Sequence, residues 1–174
     1  MKEFVNELTS CSLFQGLNRD ELVRLFDLVE TETFDAGTRI LVEGRTYRTL
    51  WVILRGTCEV VRQSGNGVDQ QLAVLEPGGI FGEMSFLQEA PHSATVRTLS
   101  EVEVVRFMPA AFDALKQSNP AIAMRITSNL VQLLSDRLRR MDAWICELIA
   151  QSEDRRHHAE WKDFQSKLYT DWSF

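Results

Sequence analysis

Glycine is confined almost entirely to one part of this chain, and that partition constrains the fold more than any other feature. Seven of the nine glycines lie between residues 37 and 79, and an eighth is Gly82. From residue 121 through Phe174 there is neither Gly nor Pro. Between Thr31 and Met108, short Val-, Ile-, Thr- and Phe-rich runs alternate with turns. These turns are Phe34-Asp35-Ala36-Gly37, Val42-Glu43-Gly44, Leu54-Arg55-Gly56, Ser64-Gly65-Asn66-Gly67 and Glu76-Pro77-Gly78-Gly79. Turn signals at this close spacing predict antiparallel strands closing on themselves, not βαβ units.

The flanks read as helical. Over residues 3 to 30, Asn18 with Glu21 three positions on forms a capping box, followed by Leu22, Leu25, Phe26 and Val29 at helical spacing. Pro109 suits the first turn of a short helix, and Ser118-Asn119-Pro120 marks a second start. The long helix that follows carries Thr127, Val131, Leu134, Leu138, Met141, Ile145 and Leu148 at alternating spacings of four and three. A repeat held at ~3.5 residues is the seam of a two-stranded coiled coil, so a homodimer is expected. A helix packed on its own β region would also need an apolar stripe, but one drifting toward 3.6. Beyond Ser152, Trp161, Phe164, Leu168 and Trp172 fall on one helical face, suited either to folding back or to docking a partner protein. Three segments are therefore expected: 1–118, 119–152 and 153–174. The fold class is α+β, an antiparallel, jelly-roll-like β-roll with N-terminal helices and a long C-terminal dimerisation helix.

Composition excludes several function classes. Net charge is −6 with a pI of about 5.1, and the one basic run, Arg137-Leu138-Arg139-Arg140, sits inside the apolar-periodic helix, so nucleic-acid binding is not expected. No apolar run reaches bilayer length, and MKEFVNELTS has no signal-peptide core. Cys11, Cys58 and Cys146 form no CxxC pair, which suits a reduced, cytoplasmic protein without a structural metal. His92, His157 and His158 are the only histidines, too few for a cupin-like metal site, and no nucleophile elbow or Walker loop occurs. An enzyme is not expected.

The segment that carries chemistry is Phe81-Gly82-Glu83-Met84-Ser85-Phe86-Leu87-Gln88-Glu89-Ala90-Pro91-His92-Ser93-Ala94-Thr95-Val96. A strand ends at Phe81, Gly82 permits a close backbone approach, Ser85 to Glu89 make one helical turn, and Pro91 stops it. The chain then re-enters a strand at Ala94-Thr95-Val96. Such a concave nest of amides suits an anion.

This pattern resembles the phosphate-binding cassette of the cyclic-nucleotide-binding domain family: Phe-Gly-Glu, an aliphatic, a small and two apolar residues, a spacer, then Pro-Arg, two small residues, Thr and Val. The match is ungapped, with His92 where the family has arginine. The resemblance extends upstream through Gly37, Gly44, Gly56 and Gly78 and downstream through Asn119-Pro120. It implies a ligand of the cAMP or cGMP kind, with Glu83 accepting from the ribose 2′-hydroxyl. The backbone of Gly82, Glu83, Met84, Ser93 and Ala94, with the Ser93 hydroxyl, would line the phosphate.

Two departures qualify that implication. Arginine supplies a permanent charge in a planar fork, whereas His92, with an unperturbed pKa near ~6.5, is mostly neutral at cytosolic pH. Losing one charged hydrogen bond costs ~1.5–3 kcal/mol. On the long helix, Arg137 and Leu138 stand where bacterial transcriptional relatives offer a Thr-Ser pair to the purine; Arg137 retains the capacity to stack on a base. The stretch after residue 150 is too short for the helix-turn-helix domain of those relatives. The expected function is therefore a non-catalytic dimeric regulatory or scaffold module with a degenerate cassette, acting through another signalling protein. The alternative is a genuine cyclic-nucleotide receptor subunit that signals through motion of the long helix.

Overall fold

The structure is a computed structural model that describes Leu8, residues 11–65 and 67–151, and Trp161, Asp163, Phe164 and Ser166; the side chains of residues 148–151 are not among the features described. The chain divides into two compact units, Met1–Val131 and Gln132–Phe174.

Among the described residues, the first unit has helical Leu8, then a 3₁₀ turn, Ser12–Phe14, and helix α1, Arg19–Phe26. The expected capping box is present: the Glu21 amide donates to the Asn18 side chain at 3.0 Å, and the Asn18 amide donates back to Glu21 at 2.8 Å. The helical reading of residues 3 to 30 runs too far, however. The chain turns at Gly16, and Glu30 already begins strand β1, Glu30–Phe34, because Glu-Thr-Glu-Thr-Phe alternates with a period of two.

Strands β2 (Arg39–Leu41), β3 (Leu50–Arg55), β4 (Cys58–Gln63), β5 (Asp69–Leu75), β6 (Ile80–Phe81), β7 (Thr95–Thr98) and β8 (Val102–Phe107) complete two four-stranded antiparallel sheets. Their orders are β1-β8-β3-β6 and β2-β7-β4-β5. Both sheets contribute to one core of Ile40, Leu41, Trp51, Ile53, Cys58, Phe81, Val96, Val102 and Val104. This is the antiparallel β-roll with flanking helices that the glycine-punctuated sequence predicts. The tightest corner is at Gly56, where φ is +81° and an added Cβ would collide with the Glu101 carbonyl.

Strand β3 is buried on both faces except at Arg55. Trp51 and Ile53 point into the core, while Leu50, paired with Phe107, belongs to the opposite face. On that face an aromatic cluster joins three elements: α2 (Glu83–Leu87), β8 and α3 (Pro109–Ser118). Its ring centroids lie 6.0 Å apart for Phe86–Phe107, 5.4 Å for Phe86–Phe112 and 5.6 Å for Phe107–Phe112. Pro109 is in the first turn of α3, as the fixed φ of proline favours.

Helix α4 runs unbroken over Pro120–Gln151. Its first turns belong to the β-roll unit: Ile122, Ala123, Ile126 and Leu130 are buried, and Asn129 donates to the Leu13 and Gln15 carbonyls at 2.8 and 3.0 Å. From Val131 onward the exposed residues include large apolar ones, namely Val131, Leu138, Met141 and Trp144. Among the expected seam residues, Thr127, Leu134 and Ile145 are half-buried, and the Leu148 side chain lies outside the described features. Trp161 and Phe164 pack ring to ring at 5.4 Å; Leu168 and Trp172 lie outside the described residues.

Candidate functional site

Gly82 initiates the cassette. It caps α2 in the left-handed region at φ +80°, and a side chain there would strike the Thr49 carbonyl and the Trp51 ring. The helical turn therefore begins at Glu83, two residues earlier than the sequence spacing suggests, and ends at Leu87 rather than Glu89. Glu83, Ser85 and Phe86 are buried, whereas Met84 is 57% exposed. The return arm passes through His92, exposed Ser93 and half-buried Ala94 into β7.

The two arms meet at two points. The Ser93 hydroxyl lies 3.9 Å from the Met84 sulfur at the surface, and the Ser85 hydroxyl lies 2.9 Å from His92 Nδ1 in the interior. Gly82, Glu83, Met84, His92, Ser93 and Ala94 are thus one local constellation. Arg137 is on α4 in the second unit, half-buried.

His92 faces inward. Only 5% of it is exposed, and the Tyr47 ring stands edge-on to the imidazole at 4.4 Å. Nε2 is buried without a hydrogen-bond partner among the described residues. Burial lowers its pKa below the ordinary 6.5, which keeps the ring neutral at pH 7.

The loop between β2 and β3 holds this arrangement. Its Gly44 amide donates to the His92 carbonyl at 2.9 Å, and the His92 amide donates to the Arg45 carbonyl at 2.9 Å. Glu43 donates its amide to the Thr95 hydroxyl at 3.0 Å, and the Arg48 guanidinium donates to the Phe86 carbonyl near the end of α2 at 3.0 Å. Tyr47 is anchored in turn, donating to the Ile40 carbonyl at 2.9 Å and accepting from the Val42 amide at 3.2 Å.

Ser85, Tyr47 and Arg48 were not singled out by sequence reasoning. The one available signal was Ser85, a hydroxyl inside the otherwise apolar run Met84–Leu87; Tyr47 and Arg48 lie far from His92 along the chain and carry no local motif.

Beside the cassette, β4 and β7 hold a second polar network. Arg97 donates Nε to Glu59 at 2.7 Å, Gln71 donates to the same carboxylate at 3.1 Å, and Asp69 lies 3.7 Å from the guanidinium. These side chains clamp the neighbouring strands β7, β4 and β5. Among the described residues no group of three His, Cys, Asp or Glu is placed to hold a metal, and no helix is long and apolar enough to cross a membrane.

Comparison with known proteins places this geometry. The chain is 29% identical over 133 residues to the potassium channel AKT1 of Oryza sativa subsp. indica, spanning 76% of this chain but 14% of the channel. It is 25% identical over 142 residues to the CRP-like cAMP-activated global transcriptional regulator of Mycobacterium tuberculosis, spanning 82% of this chain and 62% of the regulator. Among solved structures, the Thermus thermophilus Catabolite Activator Protein superposes with a TM-score of 0.71 at 28% identity, covering 79% of this chain and 62% of that one. The cyclic nucleotide-binding domain matches residues 31–119, just over half of the chain, from the second residue of β1 past the end of α3. A β-roll carrying this cassette between β6 and β7, followed by a long helix, belongs to the cyclic nucleotide-binding domain family.

Proposed function

We propose that this chain is a non-catalytic, dimeric regulatory module whose cassette is degenerate at neutral pH and whose output goes to another protein. The observation that carries this reading is the inward engagement of His92. The residue at the family's arginine position is neutral, bonded to Ser85, packed on Tyr47 and buried. A cyclic phosphate at the surface of the cassette would therefore lack the cation that compensates its desolvation. The acidic pI supports a protein rather than a nucleic acid as the partner, and free cysteines support a cytoplasmic setting. The exposed stripe of Val131, Leu138 and Met141 supports pairing of α4 with a second copy, and Trp161 with Phe164 supports a docking face.

A second reading, a receptor subunit for cAMP or cGMP, draws support from buried Glu83 and from the proximity of the two cassette arms. Here ligand at the cassette would bias the Phe86–Phe112 contact and so the α3–α4 hinge. Isothermal titration with cyclic AMP and cyclic GMP at pH 7.5 separates the two. Silence at millimolar ligand supports the degenerate module; micromolar binding abolished by Glu83→Ala establishes the receptor.

A further inference from the structure

We propose that His92 is a conditional cation: the cassette takes up one proton onto this imidazole when it takes a cyclic phosphate, so that ligand binding is coupled to proton uptake. The inference deepens the reading of the cassette as degenerate at neutral pH, and it rests on that reading.

Three features of the site carry it. First, the hydrogen-bond partner of Nδ1 is a hydroxyl, Ser85, at 2.9 Å. A hydroxyl donates to a neutral ring nitrogen and accepts from a protonated one by rotating about its C–O bond, so the contact survives either charge state. A carboxylate in that place would have favoured the protonated ring by its charge. Second, Nε2 is buried with no partner among the described residues, so the ring gives up no hydrogen bond at that nitrogen when it turns to meet an acceptor. Third, the backbone of His92 is held on both sides by Gly44 and Arg45, each at 2.9 Å, and the next residues are exposed Ser93 and half-buried Ala94. The ring sits on a fixed hinge point directly beside the residues that a cyclic phosphate would meet.

The other ionisable groups around the ring lie on the β2–β3 loop and on the cassette. On the β2–β3 loop they are Tyr47, Arg45, Arg48 and Glu43. The Tyr47 phenol has its pKa raised by burial and stays neutral. Arg48 is engaged with the Phe86 carbonyl, and Glu43 lies 3.6 Å from Arg62. On the cassette they are Glu83, which is buried, and Glu89, which is exposed. Both cassette groups are acidic, and burial is the cause of the low His92 pKa. A cyclic phosphodiester stays a monoanion across the range in which histidine titrates, so the phosphate raises the pKa of a ring it touches and a proton enters from buffer. On release of the ligand the proton returns to buffer. Between the free and bound pKa values, affinity should rise by up to about tenfold for each unit of falling pH.

The test is titration calorimetry of the full chain with cyclic AMP and cyclic GMP between pH 5.5 and 7.5. Two buffers of different ionisation enthalpy at each pH give the number of protons taken up. The expected result is an affinity that strengthens several-fold per unit toward acid, with a fraction of a proton rising toward one taken up on binding. The same series on His92→Gln, which keeps a polar side chain of similar reach, should show no uptake and a flat pH profile. Pocket integrity of that variant is checked by its unfolding transition. Binding that is equally tight at all pH values without proton uptake overturns the conditional cation and the degenerate cassette together. Absence of binding at every pH with millimolar ligand overturns the conditional cation alone and leaves the degenerate module standing. Uptake that persists in His92→Gln assigns the proton to another group and overturns the role of His92.

Discussion

The cassette and the distal half of α4 invert the ordinary distribution of residues. In the cassette, polar side chains are inside: Glu83, Ser85 and His92 are each 5% exposed or less. On the helix, apolar side chains are outside: Leu138, Met141 and Trp144 are each more than half exposed. A buried polar group costs free energy unless it is bonded, so the cassette's conformation is specified by its partners. An exposed apolar stripe costs little in an isolated chain and gains free energy only when covered. One region is closed by its own partners; the other leaves an apolar face open to solvent.

The sharpest way to break this contrast is at the helix. Replacing Leu134 and Leu138 with Asp should convert dimer to monomer in light scattering while leaving the circular dichroism of the β-roll unchanged. A variant that remains dimeric moves the seam elsewhere; one that unfolds the β-roll shows the stripe to be internal packing. Next in size is Gly82→Val, which combines a strained positive φ with a collision at Thr49 and Trp51. It should lower unfolding free energy by about 2–4 kcal/mol in denaturant titration.

Ser85→Ala should cost about 1–3 kcal/mol, because it leaves a buried ring nitrogen of His92 without its partner. A neutral effect would mean that water replaces the hydroxyl. The smallest expected effect is on the pH profile of stability. The folded pKa of His92 lies below its unfolded value, so the unfolded chain binds the proton more readily. Above about pH 6.5 both states are neutral and the residue contributes no slope; below it, stability falls until the folded pKa is passed. His92→Gln should flatten that acid limb in thermal melts from pH 7.5 to 5, and an unchanged limb would assign it to other groups.

Much of the fold was legible because its information is local. Gly37, Gly44, Gly56, Gly67, Gly78 and Gly82 all adopt positive φ, so each turn was written where the backbone needed it. The capping box at Asn18 and the absence of helix breakers after Pro120 located two helices by the same logic. The strand Glu30–Phe34 is legible from Thr31 onward; only its first residue, Glu30, was counted with the helical lead-in, because a single glutamate fits either period. The cassette's residues were legible as a motif, and the structure brings its two arms together. The direction of His92 was not, because it depends on Ser85 from one arm and on Tyr47 from a loop 45 residues earlier. A motif names which residues gather; it carries no information about which neighbour captures a side chain once they have gathered.

The ring contacts of Phe86, Phe107 and Phe112 have a mechanical corollary. Rings packed at these separations, Phe107 edge-on to Phe112 and both tilted against Phe86, resist gradual sliding, since a close-packed interior disfavours intermediate spacings. A displacement of α2 must either leave all three in place or repack them together. Were a ligand to displace α2, the shift would therefore reach α3 as a click between discrete settings and not as a dial.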